Sequence, residues 1–60
     1  MDKLKLGQVV QILEPKHQKT YVLGQVTEVI DDIVLLYRVL PINSATSVYV
    51  DEREIVNVLN

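Results

Sequence analysis

The sequence predicts an all-β fold: a small five-stranded, partly open barrel with one short helical turn before the last strand. Three observations predict it. Apolar residues recur at a period of two in short runs rich in valine and isoleucine, the pattern of half-buried strands. Two glycines, Gly7 and Gly24, each open such a run, Gly7-Gln-Val-Val-Gln-Ile and Gly24-Gln-Val-Thr-Glu-Val. Turn-forming residues separate the runs, and only residues 51–56 come near helical spacing.

The first strand follows Gly7. Leu6, Val10 and Ile12 fall on one parity, Val9, Gln11 and Leu13 on the other, and Pro15 ends the strand because it cannot donate to a ladder. The polar stretch from Lys16 to Thr20 reads as a loop. Tyr21 to Ile30 is the second strand, and Gly24 inside it marks a bend or bulge that turns a barrel corner. Asp31-Asp32 reads as a tight turn, leading into a third strand over Ile33 to Leu40. The turn-forming run from Pro41 to Ser47 reads as a loop, and Ser47 to Val50 as a fourth strand with Tyr49 facing away from Val48 and Val50. Asp51 is placed to cap one helical turn and Glu54 to complete a capping box, before a last strand over Ile55 to Leu59. The expected core is Leu6, Val10, Ile12, Val26, Val29, Tyr37, Val39, Val48, Val50, Ile55 and Val58.

Composition narrows the function. Sixty residues suit one small domain, 1–60, with a limited core. There is no cysteine and a single histidine, so neither a disulfide staple nor a Cys- or His-based metal site is expected, and no cofactor. The apolar runs are too short to span a bilayer and the first residues lack a signal-peptide core, which predicts a soluble, cytoplasmic protein. Formal charge is −2, divided as +2 over residues 1–20 and −4 over residues 21–60. That mild acidity weighs against nucleic acid as partner, because phosphate neutralisation favours a basic surface.

Taken together, Gly7, Val10, Ile12, Leu13, Pro15, Gly24, Val26, Val29, Tyr37, Val39, Glu54 and Val58 resemble the pattern of the E-type small-subunit family of photosystem I and of a similar small subunit of the photosynthetic NDH complex. The resemblance covers most of the chain and implies a Src-homology-3-like barrel. It also implies a part in docking ferredoxin through basic residues of the first strand and loop. At those positions the chain carries Gln11 and Glu14, although Lys16 and Lys19 remain in the loop. A fold of this kind hosts many functions, so the electron-transfer role does not carry over. The C-terminal segment is also similar to plasmid-encoded type II dihydrofolate reductases. Their active-site Val-Gln-Ile-Tyr run is here Val48-Tyr49-Val50-Asp51, which loses both the glutamine and the tyrosine.

The side chains offer no nucleophile–base pair and no phosphate-cradling loop, so a non-enzyme is expected. Asp31, Asp32, Asp51, Glu52 and Glu54 read as turn and cap chemistry before they read as a cation site. Tyr21, Tyr37 and Tyr49 are the only aromatics, and their parities keep them from converging on one cage. The clue lies on the outward parity. If Tyr37 and Val39 point in, then Leu36, Arg38 and Leu40 point out, as do Val9 and Leu13, where a sheet facing water carries polar residues. These residues predict a surface for another protein or a homo-oligomer, with Lys16, His17, Lys19 and Arg38 orienting the partner. Lys16 and Lys19 are expected to form a basic patch with Arg38 or Lys5. The expected role is a protein-binding accessory subunit or adaptor. The alternatives are a nucleic-acid-binding barrel and an inhibitor carried by a mobile element.

Overall fold

A computed structural model describes residues 3–14 and 19–60. Five antiparallel strands form one open sheet: β1 (Val9–Leu13), β2 (Tyr21–Asp31), β3 (Leu35–Pro41), β4 (Val48–Val50) and β5 (Ile55–Val58). Their spatial order is β4-β3-β2-β1-β5, a meander whose last strand returns to pair with the first. A single 3₁₀ turn over Glu52–Glu54 precedes β5. Among the described residues no helix is long and apolar enough to cross a membrane.

Inward side chains from every strand meet in one core of Leu4, Val10, Ile12, Val26, Tyr37, Val39, Val50 and Ile55. Tyr37 is fully buried, and its hydroxyl accepts the backbone N–H of Leu4 at 3.0 Å. This bond satisfies a polar tip that burial would otherwise strand. Val29, Val48 and Val58, expected in the core, are partly buried and pack against its margin.

Leu6 corrects the expected core, because it is 66% exposed and Leu4 occupies the interior instead. The cause is the turn before β1. Gln8 N–H donates to Lys5 C=O at 3.2 Å, and Gly7 has φ of 87°, a left-handed value that favours glycine. Strand parity cannot be counted back through such a turn.

Gly24 also departs from expectation. It keeps a regular ladder position, opposite Val10 on one side and Pro41 on the other. The irregularity in β2 lies further on, between Val26 and Glu28, where the Thr27 hydroxyl donates to the Arg38 carbonyl at 3.2 Å. Gly24 is required by close approach instead: a Cβ there would stand 2.5 Å from Val39 Cγ1 and 3.0 Å from the Leu40 carbonyl oxygen.

The β2–β3 connection is longer than the tight turn expected at Asp31-Asp32. Register places Val29 opposite Tyr37 and Asp31 opposite Leu35, leaving Asp32, Ile33 and Val34 at the tip. Ile33, expected to open β3, is therefore 97% exposed. Pro41, expected in a loop, ends β3 and is buried. The turn after it uses Asn43 at φ of 61°, a residue type that tolerates this region. The helical turn before β5 forms as expected: Arg53 N–H donates to Asp51 Oδ1 at 2.9 Å, and Asp51 N–H donates to Glu54 Oε1 at 3.1 Å.

Candidate functional site

Period-two alternation sends every second side chain of a strand away from the core, and the strand register decides which of these become neighbours. On the outer face, Val9 lies opposite Gln25, and Gln25 lies opposite Leu40. Leu59 extends that row beyond β5, since its N–H donates to Val9 C=O at 2.9 Å. The next row holds Asn57, Gln11 and Leu23 in register, then Ile42, whose N–H donates to Leu23 C=O at 2.8 Å. Leu13 and Tyr21 form a third row. None of these ten side chains is acidic or basic, in a chain where 23% of residues are charged. Depletion of charge is the compositional mark of an interface centre.

An open depression of about 400 Å³ indents this face, lined by Val9, Leu23, Gln25, Leu40, Pro41 and Ile42 among others. Gly24 also lines it, and on the core side the missing side chain of this glycine lets β3 approach β2. The polar groups of the adjoining rows are carboxamides. Gln25 Nε2 donates to Gly7 C=O at 3.2 Å, and Asn57 Oδ1 accepts Val58 N–H at 3.0 Å.

The residues expected at the interface divide into two groups. Val9 and Leu40 come together around the depression, and Leu13 stands on the same face beside Tyr21. Leu36 does not join them. It is half-buried opposite Ile30, separated from Leu40 by the row of Tyr49, Arg38 and Glu28. Arg38 Nη1 sits 3.7 Å from Glu28 Oε1, an ion pair that uses the cation locally. Lys16 and His17 lie outside the described residues. Lys19 is exposed in the β1–β2 connection, just before Tyr21. Arg38 pairs with β2 at Glu28, far along the strand from Tyr21, roughly 20 Å away on extended backbone. Lys5 precedes the other end of β1. The register thus sets Lys19 apart from Arg38 and Lys5, while Lys16, the other cation of the expected patch, lies outside the described residues.

Four large apolar residues of this face were not expected: Tyr21, Leu23, Ile42 and Leu59. The signal for Tyr21 and Leu23 was present, since both have the parity opposite to buried Val26. Ile42 gave no such signal, because it follows Pro41 in a turn and joins the face through a bond to β2.

Other polar groups are engaged in structure. The Arg53 guanidinium donates to Asp51 Oδ2 at 2.8 Å, and this bond, ahead of the backbone N–H bonds, holds the Asp51 carboxyl below its ordinary 3.8. Lys3 bonds the Asp31 carboxylate, which raises the lysine above its ordinary 10.5. Among the described residues no three His, Cys, Asp or Glu side chains stand together as metal ligands would. Tyr37 is committed to the core, while Tyr21 and Tyr49 line two different depressions. Compared with protein-family models, curated proteins and solved structures, the chain finds no match, so the resemblances read from its residues gain no support there.

Proposed function

We propose that the chain is a non-enzymatic, protein-binding barrel of the Src-homology-3 type that docks its partner on the outer face of β5, β1 and the first half of β2. The observation that carries this reading is the uncharged face itself. Val9, Leu13, Tyr21, Leu23, Leu40, Ile42 and Leu59 lie on it in adjoining rows without a charge between them. A water-facing sheet surface ordinarily alternates to polar residues, and a contiguous apolar patch on a small soluble domain marks an interaction site. The return of the last strand to the first, after one 3₁₀ turn, supports the barrel type. A docking mode led by cations has less support, because Arg38 is already paired and Lys19 stands apart from it.

A photo-crosslinking side chain placed at Leu23 tests the reading in the protein's native cells. Adducts are expected from Leu23 and absent from Glu52, which sits on the acidic 3₁₀ turn. Adducts from position 52 and none from 23 would refute it. High salt separates docking modes in the same preparation: apolar docking persists, whereas phosphate binding falls steeply.

A further inference from the structure

We infer that the free edge of β4 takes up an extended peptide of a partner, main chain against main chain, with a basic side chain of that peptide seated in the depression beside the edge. This site lies apart from the uncharged face, which it meets at Leu13. Ladder geometry places the edge. Val26 N–H donates to Gln8 C=O at 2.9 Å and Val26 C=O accepts Gly7 N–H at 2.8 Å, so both groups turn away from β3. Backbone groups alternate sides along a strand, and Val39 stands opposite Val26. Val39 therefore turns its own groups toward β4, where Val48 is its partner. The next residue, Tyr49, presents its N–H and C=O on the other side of β4. No strand among the described residues pairs there, and Tyr49 is 59% exposed.

The two edges of this open sheet are not alike. Leu59 N–H faces β1, where it donates to Val9 C=O, so Val58, one residue earlier, turns its groups outward from β5. Its N–H is taken by Asn57 Oδ1 at 3.0 Å, and an edge closed in this way is guarded against a further strand. β4 carries no such guard at Tyr49. Two residues on, Asp51 N–H donates to Glu54 Oε1 and Asp51 C=O accepts Glu54 N–H, both at 3.1 Å. An added strand therefore ends at the cap. So short an edge gives few main-chain bonds, and a pocket for a side chain must supply the rest of the recognition.

That pocket is present. A depression of about 170 Å³ beside Tyr49 lies between β4 and the end of β1, lined by Ile12, Leu13, Glu14, Val48, Val50 and Glu54. Its walls are aliphatic and its charged members are carboxylates, a combination that suits arginine or lysine. The aliphatic stem lies along the walls while the cation reaches a carboxylate. Glu54 commits Oε1 to the cap, and a carboxylate has a second oxygen to offer. Arg53 does not compete for it, because its guanidinium is held by Asp51 Oδ2 at 2.8 Å. From Asp51 to Glu54 the chain carries three carboxylates and one guanidinium, so the approach to this edge favours a basic peptide over an acidic one.

Titration of the isotope-labelled full chain with a short synthetic peptide, arginine flanked on each side by valine and threonine, tests the inference by amide NMR. Shifts are expected at Leu13, Val48, Tyr49 and Val50, with a dissociation constant of about 1 mM and slower solvent exchange of the Tyr49 N–H. Tyr49→Pro removes the outward donor and spares the bonds to β3, since proline is accepted at an edge position whose N–H faces solvent. It should weaken binding about tenfold, whereas Tyr49→Thr keeps the donor and should bind like the wild type. Glu54→Gln keeps an acceptor for the cap and loses the charge. It should weaken the arginine peptide roughly threefold and leave a norleucine counterpart unchanged. If Tyr49→Pro does not fold by circular dichroism, a backbone N-methylated form of the arginine peptide reads the same edge and should bind about tenfold more weakly. No shift at Tyr49 up to about 10 mM peptide overturns the inference, as does equal binding by Tyr49→Pro or by the N-methylated peptide. Equal binding of the norleucine and arginine peptides overturns the seat for a basic side chain. Shifts confined to Val9 and Leu23 overturn the edge site and leave the uncharged face as the docking surface.

Discussion

Replacing Gly24 with alanine adds one methyl group where β2 passes closest to β3. The new carbon would stand 2.5 Å from Val39 Cγ1 and 3.0 Å from the Leu40 carbonyl oxygen, whereas carbon atoms pack at about 3.5–4.0 Å. Val39 is fully buried, so its methyl has no free space to enter, and the Leu40 carbonyl is backbone in the paired segment between Gln25 and Leu40. Overpacking of this kind costs about 1–3 kcal/mol. The lower entropy of the unfolded alanine chain returns roughly 0.4–1 kcal/mol, which leaves a net loss of about 1–2 kcal/mol. A domain of this length holds only about 3–9 kcal/mol in total, so the melting temperature should drop by roughly 4–16 °C. Urea denaturation followed by circular dichroism measures the loss directly, with an unchanged slope showing that the surface exposed on unfolding is the same. Two companions sharpen the test. Gly7→Ala meets nothing closer than 3.9 Å and incurs only the left-handed backbone penalty of about 1–2 kcal/mol. Val39→Ala removes the clashing methyl, so the double variant with Gly24→Ala should lose less than the sum of the singles. If Gly24→Ala melts with the wild type, or if Val39→Ala gives no relief, the close-approach reasoning is wrong.

Two further predictions concern the core and the cap. Tyr37→Phe should cost about 1–3 kcal/mol, because it leaves the Leu4 N–H without its acceptor; thermal melts of the two proteins check it, and equal stability would show that the N–H finds another partner. Asp51 has its pKa depressed by Arg53, so its charged form contributes stability above the ordinary carboxylate value, and that contribution is lost as pH falls through the depressed one. Asp51→Asn keeps a capping side chain without the charge, so the gap in melting temperature between it and the wild type should be widest at neutral pH and close as pH falls below the ordinary carboxylate range.

Local physics made much of this protein legible in its residues. Alternation over Val9–Leu13 and Val48–Val50 gave strands because a pleat sends successive side chains to opposite faces, and both were found with the expected side buried. The capping box of Asp51 and Glu54 was equally readable, since its bonds join residues within one turn. Val9, Leu13 and Leu40 were found on the outer face for the same reason. The miss at the core has a local origin that parity could not register. Leu6 keeps the parity of Val10 but lies before a turn with a left-handed glycine, and Leu4 takes the interior place instead.

What the sequence determined by itself, then, was the set of strands, the faces within each strand and the cap, all of which depend on neighbours a few residues apart. Tertiary structure decided everything that requires pairing between distant segments. It decided why residue 24 must be glycine, since that depends on Val39 arriving 2.5 Å from an added carbon. It set Arg38, which stands between Leu36 and Leu40 on β3, against Glu28 in an ion pair. It joined Ile42 to Leu23 and Leu59 to Val9, turning scattered outward residues into one uncharged face. Register is a long-range choice, fixed by which buried side chains fill the core together, and no window of adjacent residues contains it.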